Sequence, residues 1–220
     1  MPLEYNNKKI DIYMKPSKTI SLILSLVILV LIGVVVMQTQ KNSTDSAKAV
    51  VENIHERKSV RKYTSQKVEE EKIQTLLRAA MAAPTGKDIR PWEFVVVDDK
   101  DILNQLGNKL PFAKMLKEAQ LAIVVCGDSS KSFYWYLDCA TAAQNILLTA
   151  QALHLGAVWT AAYPYNDRME VVTEALQLPT NILPLCVIPI GYPLGKTMAK
   201  DKFDSQRIHK NTWESSELRN

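Results

Sequence analysis

Asp138 to Gly156 reads "DCATAAQNILLTAQALHLG", and it opens a stretch, Cys139 to Asn166, that holds no Asp, Glu, Lys or Arg. The composition predicts a helix that starts at Asp138 and stops at Gly156, where glycine suits a C-terminal cap. Small or apolar residues occupy nearly all its faces, so this helix must be enclosed. It is either the central helix of a monomer or the seam of a dimer. A chain of 220 residues has few other elements with which to cover it, which favours the seam.

Working outward, Val68–Ala83 carries Ile73, Leu76, Leu77, Ala80 and Met81 on one helical face, with acids in its first turn and Pro84 as its stop. A loop to Pro91 follows, then a strand in "WEFVVVDD", a helix over Lys100–Leu110 and a strand over Leu121–Asp128. "AVWTAAYP" and "LPLCVIPIGYP" read as further strands around a helix at Asp167–Leu176. The pattern mixes α and β. The polar tail from Gly195, with isolated Phe203 and Trp213, cannot build a core and is expected to wrap a surface, such as a partner subunit's.

The N-terminal part is different. Ile20–Met37 is eighteen residues without a charge. As a helix it would reach about 27 Å against a hydrocarbon core of about 30 Å, which favours a membrane span over a buried core helix. It exceeds the ~7–15 residues of a signal-peptide core, so an uncleaved anchor is expected. The sequence therefore divides into a basic segment (1–19), a transmembrane anchor (20–37), a polar linker (38–49) and a folded domain (50–220). Lys8, Lys9, Lys15 and Lys18 before the run, against Lys41 and Lys48 after it, lean the domain towards the outside of the cytoplasm.

Several functions are excluded. A net charge of +4 with interspersed acids and no basic stripe does not suit nucleic acid. Three cysteines in apolar stretches and three scattered histidines have no metal-ligand spacing. No GxGxxG, GxxxxGK[ST] or GxSxG motif occurs, and the chain has only seven glycines, so any bound phosphate must rely on side chains.

"HERKSVRKY", His55–Tyr63, offers such side chains. In an extended segment Arg57, Ser59 and Arg61 share one side, and guanidinium forks suit a phosphate dianion. A solvated basic turn is the alternative. Far along the chain, Lys200 and Lys202 in "AKDKF" repeat the alternation, and two such clusters could meet over one phosphate.

"RKSVRKY", "LLRAAMAAPTGKDIRPWEFVVV", "DCATAAQNILLTAQALHLGAVW", "IPIGYP" and "KDKF" together resemble, in order, the signatures of the FMN-dependent nitroreductase family, over roughly Ile54–Trp213. The resemblance implies an α+β fold with a mixed sheet flanked by helices, and a homodimer with FMN at its interface. It implies that Arg57, Lys58, Ser59 and Arg61, with Lys200 and Lys202, hold the FMN phosphate and ribityl chain. Pro84, Thr85, Gly86 and Asp88 match the loop that a partner subunit lays along the flavin ring. Thr160, Ala161 and Ala162 match the segment whose backbone amides approach flavin N5. Arg61 or Lys114 could support the reduced flavin's anionic edge. No catalytic side chain and no metal ligand are implied, because the flavin carries the chemistry.

The implied reaction takes hydride from NAD(P)H and reduces nitroaromatics, quinones or similar acceptors by ping-pong turnover. The alternatives are a membrane-tethered FMN-binding or sensing module without turnover, and a same-fold reductive dehalogenase or flavin-modifying enzyme. Asp88 and Arg90 depart from the Asn and Gln common in the family's loop, and an acid lacks the amide's donor.

Overall fold

The computed structural model describes residues 18–213, without the side chains of 18, 19, 21 and 33–44. It divides into two compact units, 1–50 and 51–220. Helix α1 (Lys18–Glu56) runs continuously through the segment expected as a linker. No glycine or proline occurs between Gly33 and the end of α1 at Glu56, so nothing in the expected linker breaks the helix. Ile20 and the apolar residues from Leu22 to Ile32 are exposed. Among the described residues no helix is long and apolar enough to cross a membrane. Ser21 and Gly33–Met37 of the expected span, and the basic segment to Ser17, lie outside the described side chains.

The second unit is an α+β layer structure. Strands β1 (Trp92–Val97), β2 (Leu121–Asp128), β3 (Gly156–Ala157), β4 (Thr160–Ala161) and β5 (Ile182–Gly191) form one sheet in the order β1-β2-β5-β3, with β4 also on β5. The expectation of a mixed sheet is corrected: every pairing between named strands is antiparallel. One bridge, Ser59 with Ala157, is parallel. The reason lies in the β1–β2 connection. After α3 (Lys100–Lys109) the chain folds back against it in a short 3-10 turn, Lys114–Lys117. It thus returns to the end where β1 finished, and Val97 faces Ala122.

β2 is buried along its whole length, as a central strand covered on both faces must be. Its alternate residues separate two cores. Leu121, Ile123 and Val125 meet α2 (Glu70–Met81) and α4 (Trp135–Ala152) through Leu76, Ala143 and Ile146. Ala122, Val124 and Cys126 meet α3 and α5 (Asn166–Leu176) through Leu103, Leu106 and Val172. The α2 face is narrower than its periodicity predicts, for Met81 is exposed.

Of the two readings of the charge-free helix, enclosed centre of a monomer or seam of a dimer, the packing within one chain excludes the first. One side of α4 is buried from Trp135 through Cys139, Ala142 and Ile146 to Ala150, while Leu137, Thr141 and Gln144 stand open. The three thiols are buried, and burial pushes Cys126 up to about 12, so they remain protonated.

Candidate functional site

The basic segment is extended and docked on the sheet edge. Val60 donates its N–H to Ala157 O at 3.0 Å, and Ser59 bridges Ala157. Buried Val60 and Tyr63 anchor it from below, and the Tyr63 hydroxyl lies 2.7 Å from Val60 O and 3.1 Å from Pro189 O. Burial raises the Tyr63 phenol far above its usual range, so it stays a neutral donor.

On the far side Thr64 N–H donates to Tyr192 O at 2.8 Å and Leu194 N–H to Lys62 O at 2.9 Å. Tyr63 and Pro193 pair antiparallel, so the tail beyond Pro193 runs back towards Arg57. This local pairing unites clusters that the sequence holds about 140 residues apart. Arg57, Lys58, Ser59, Arg61, Lys200 and Lys202 all line one cleft of about 340 Å³, with Thr197 and Met198 completing it. Among the described residues no acid lines that cleft. The donor set, five cations and a hydroxyl, fits a phosphate dianion.

Arg61 also lines a second cavity of about 200 Å³ that includes Thr160 and Ala161. Thr160 Oγ1 is buried there without a hydrogen-bond partner. A buried hydroxyl left unpaired costs about 1–3 kcal/mol, so a polar ligand atom would be accommodated beside it. Ala162 does not share this role as expected. It is buried, and its N–H is spent on Leu185 O at 3.0 Å. Lys114 lines neither cavity.

Pro84, Thr85, Gly86 and Asp88 line neither cavity. Their loop is fixed instead by Asp138, a residue that sequence reading takes only as a helix start. The Asp138 carboxylate, 6% exposed, accepts from Thr85 Oγ1 at 2.9 Å and from Gly86 N–H at 3.2 Å. Thr85 Oγ1 in turn accepts Arg90 N–H at 3.0 Å. Lys87, Asp88 and Arg90 all have positive φ, 56°, 56° and 53°. Asp88 and Arg90 form a two-pronged ion pair at 2.7 and 2.6 Å. The guanidinium holds the Asp88 carboxyl below its usual range.

Arg168 is a second residue that sequence reading misses. It lines the Thr160 cavity and has no motif around it. The signal for Asp138 was available, since it is the last acid before the charge-free stretch.

The description "Nitroreductase family" matches residues 54–111 and 108–192. A crystal structure from Bacteroides thetaiotaomicron, provisionally named NADH dehydrogenase/NAD(P)H nitroreductase, is 62% identical and superposes with a TM-score of 0.74 over 75% of this chain and 98% of that one. A relative with the same provisional name from Methanothermobacter thermautotrophicus is 44% identical over 167 residues, 74% of this chain and 87% of its own. An FMN-dependent nitroreductase from Clostridium difficile is 34% identical, with a TM-score of 0.70 over 73% of this chain and 98% of that one. The chain belongs to the nitroreductase family.

Proposed function

We propose that this chain is an FMN-dependent oxidoreductase that takes hydride from NAD(P)H and reduces nitroaromatics, quinones or similar acceptors, one substrate replacing the other over the same site. The observation that carries the reading is the convergence of Arg57, Lys58, Ser59, Arg61, Lys200 and Lys202 on one cleft that no acid lines among the described residues. When bound, FMN supplies the redox chemistry, accepting hydride and passing electrons on. The protein's part is to hold and orient it. Arg57 and the two lysines would take the phosphate, Ser59 would donate its hydroxyl, and Arg61, shared by both cavities, would face the flavin's polar edge. Thr160 and Ala161 would border the ring, and the loop of Pro84, Thr85, Gly86 and Asp88 would reach a partner's flavin across a homodimer.

Two further features support the dimer. The face of α4 with Leu137 is uncovered, as are Phe133 and Tyr134 before it. The tail residues Met198, Phe203 and Trp213 are exposed as well. Outside the 50–220 domain, we read Ile20–Met37 as a membrane tether on the basis of its charge-free run. Recovery of the full chain in the alkali-resistant membrane fraction, and of a chain lacking residues 1–49 in the supernatant, is the expected result; equal partitioning removes the tether.

The test of function begins with the visible spectrum of the purified full chain and the flavin released on denaturation. FMN near one per subunit is expected, with riboflavin bound far more weakly because it lacks the phosphate. Oxidation of NADH or NADPH with a quinone then separates an enzyme from a binding module. A colourless protein that ignores added FMN overturns the reading.

A further inference from the structure

Phe112 combines two unfavourable features. Its φ of 58° lies in the left-handed region, and among the described residues no other apolar side chain stands there. Its ring is also 86% exposed, more than any other Phe, Tyr or Trp that the structure describes. A bulky side chain is disfavoured at positive φ, and an aromatic ring left in water forgoes its burial.

The turn is not free to relax. Leu110 before it is 4% exposed and donates its N–H to Leu106 O at 2.9 Å. Ala113 after it is fully buried, and its carbonyl accepts Leu116 N–H at 2.9 Å. Pro111 between them has its own φ fixed by its ring. Helix termination does not explain the conformation either. Gln177, with φ of 51°, caps α5, whereas α3 is already capped by Leu110 in an extended conformation. Strain held by buried neighbours on both sides is the kind that functional sites keep. What the pinned turn achieves is to hold the Phe112 ring in the wall of the cavity that Thr160 and Ala161 also line. Met115 and Trp159 extend that wall with further apolar surface.

We propose that Phe112 is a cofactor-binding residue, a preset aromatic contact for the flavin ring that gains in the bound state the burial it lacks without it. This rests on the oxidoreductase reading above, in which Thr160 and Ala161 border that ring. Aromatic pairs gain from offset or edge-on contact beyond the area they bury. The basic cleft grips the phosphate and Phe112 the ring, so the two ends of the cofactor are held by independent groups.

The experiment uses the full chain stripped of flavin, as wild type, Phe112→Gly, Phe112→Asn and Phe112→Tyr. The thermal midpoint, the affinities for FMN and for riboflavin, and the sedimentation of each are measured. Glycine removes the Cβ penalty, so Phe112→Gly should raise the midpoint of the flavin-free chain by about 2–4 °C. It should also weaken FMN and riboflavin by the same factor, about five- to hundredfold, as for loss of one stacked aromatic. Asparagine also tolerates positive φ and should weaken both flavins alike, whereas tyrosine keeps the ring and should stay within about twofold of the wild type. Arg57→Ala supplies the contrast, weakening FMN and leaving riboflavin unchanged. Parental flavin affinity in both ring-free variants, a loss confined to FMN, a lowered midpoint in Phe112→Gly, or a loss accompanied by altered sedimentation would each overturn the proposal. Failure of the oxidoreductase reading looks different: the wild type then binds neither flavin.

Discussion

Gly156→Ala tests whether the basic segment owes its position to close contact with β3. A methyl at Gly156 would lie 2.6 Å from Val60 Cγ1, 2.7 Å from Val60 Cβ and 3.1 Å from Val60 Cγ2. A rotamer change moves the two γ carbons and leaves the Cβ contact. Val60 cannot retreat alone, for it is 4% exposed and its N–H is bonded to Ala157 O. Reaching the ~3.5 Å of an ordinary carbon contact therefore needs the whole segment to move by most of an ångström.

Overpacking of this kind costs ~1–3 kcal/mol, read as a lower midpoint in urea at unchanged slope. The shift also carries Arg57, Ser59 and Arg61 away from Lys200 and Lys202. FMN affinity should fall about tenfold or more, since ~1.4 kcal/mol of lost bonding is a factor of ten. Gly86→Ala is the control for stability alone, because its nearest neighbour would be Tyr134 Cδ2 at 3.9 Å, whereas its loop is itself expected at a partner's flavin. Adding Val60→Ala to Gly156→Ala should recover only part of the stability, as the 2.7 Å contact persists. A Gly156→Ala chain with parental stability and parental FMN affinity refutes the reasoning.

Other substitutions probe the loop and the acid limb. Asp138→Asn can turn an amide donor towards Gly86 N–H or Thr85 Oγ1, and the lost acceptor should cost about 1–3 kcal/mol in thermal unfolding, with faster proteolysis between Pro84 and Arg90. Hydrogen bonds from Ser130 and then Asn181, with Lys131 nearby, hold the Asp128 carboxyl down to about 2. A depressed carboxylate stabilises the fold above the unfolded value of ~3.9 and loses that contribution as pH falls through about 2, so Asp128→Asn should flatten stability over that window. The Asp88 carboxyl, followed by NMR, should titrate below the ordinary range in the parent and return to it in Arg90→Gln.

Much of the fold is legible because its signals are local. The β2 boundaries follow from branched residues between polar ends, and α2, α3 and α5 follow from their period and first-turn acids. What escapes depends on partners far away in sequence. The apolar composition of α4 says nothing about which side the sheet covers, so its open face around Leu137 emerges only from the packing. Strand direction is likewise hidden, because it depends on how the segment after α3 folds back. The basic clusters are legible as residue types, whereas their meeting rests on Tyr63, Thr64 and Leu194, whose backbone bonds no motif announces. Arg168 escapes for the same reason: an arginine in a first helical turn is ordinary until its Nε is found buried with no hydrogen-bond partner among the described residues.

The two departures in the loop make sense only as a pair. An isolated Asp88 in place of an amide would offer a bare carboxylate where an uncharged side chain is expected, and an isolated Arg90 would add an unmatched cation. Together they close on each other at 2.6 and 2.7 Å across two residues, both with positive φ. Each charge raises the cost of losing the other, so either single change to the amide should disturb the loop more than the double change, Asp88→Asn with Arg90→Gln, which restores a neutral pair. The pair is exposed and salt-screened, so the difference should show in loop protection and acceptor choice rather than in global unfolding. A cycle in which the double change is as disruptive as the sum of the singles would mean that the two residues act independently.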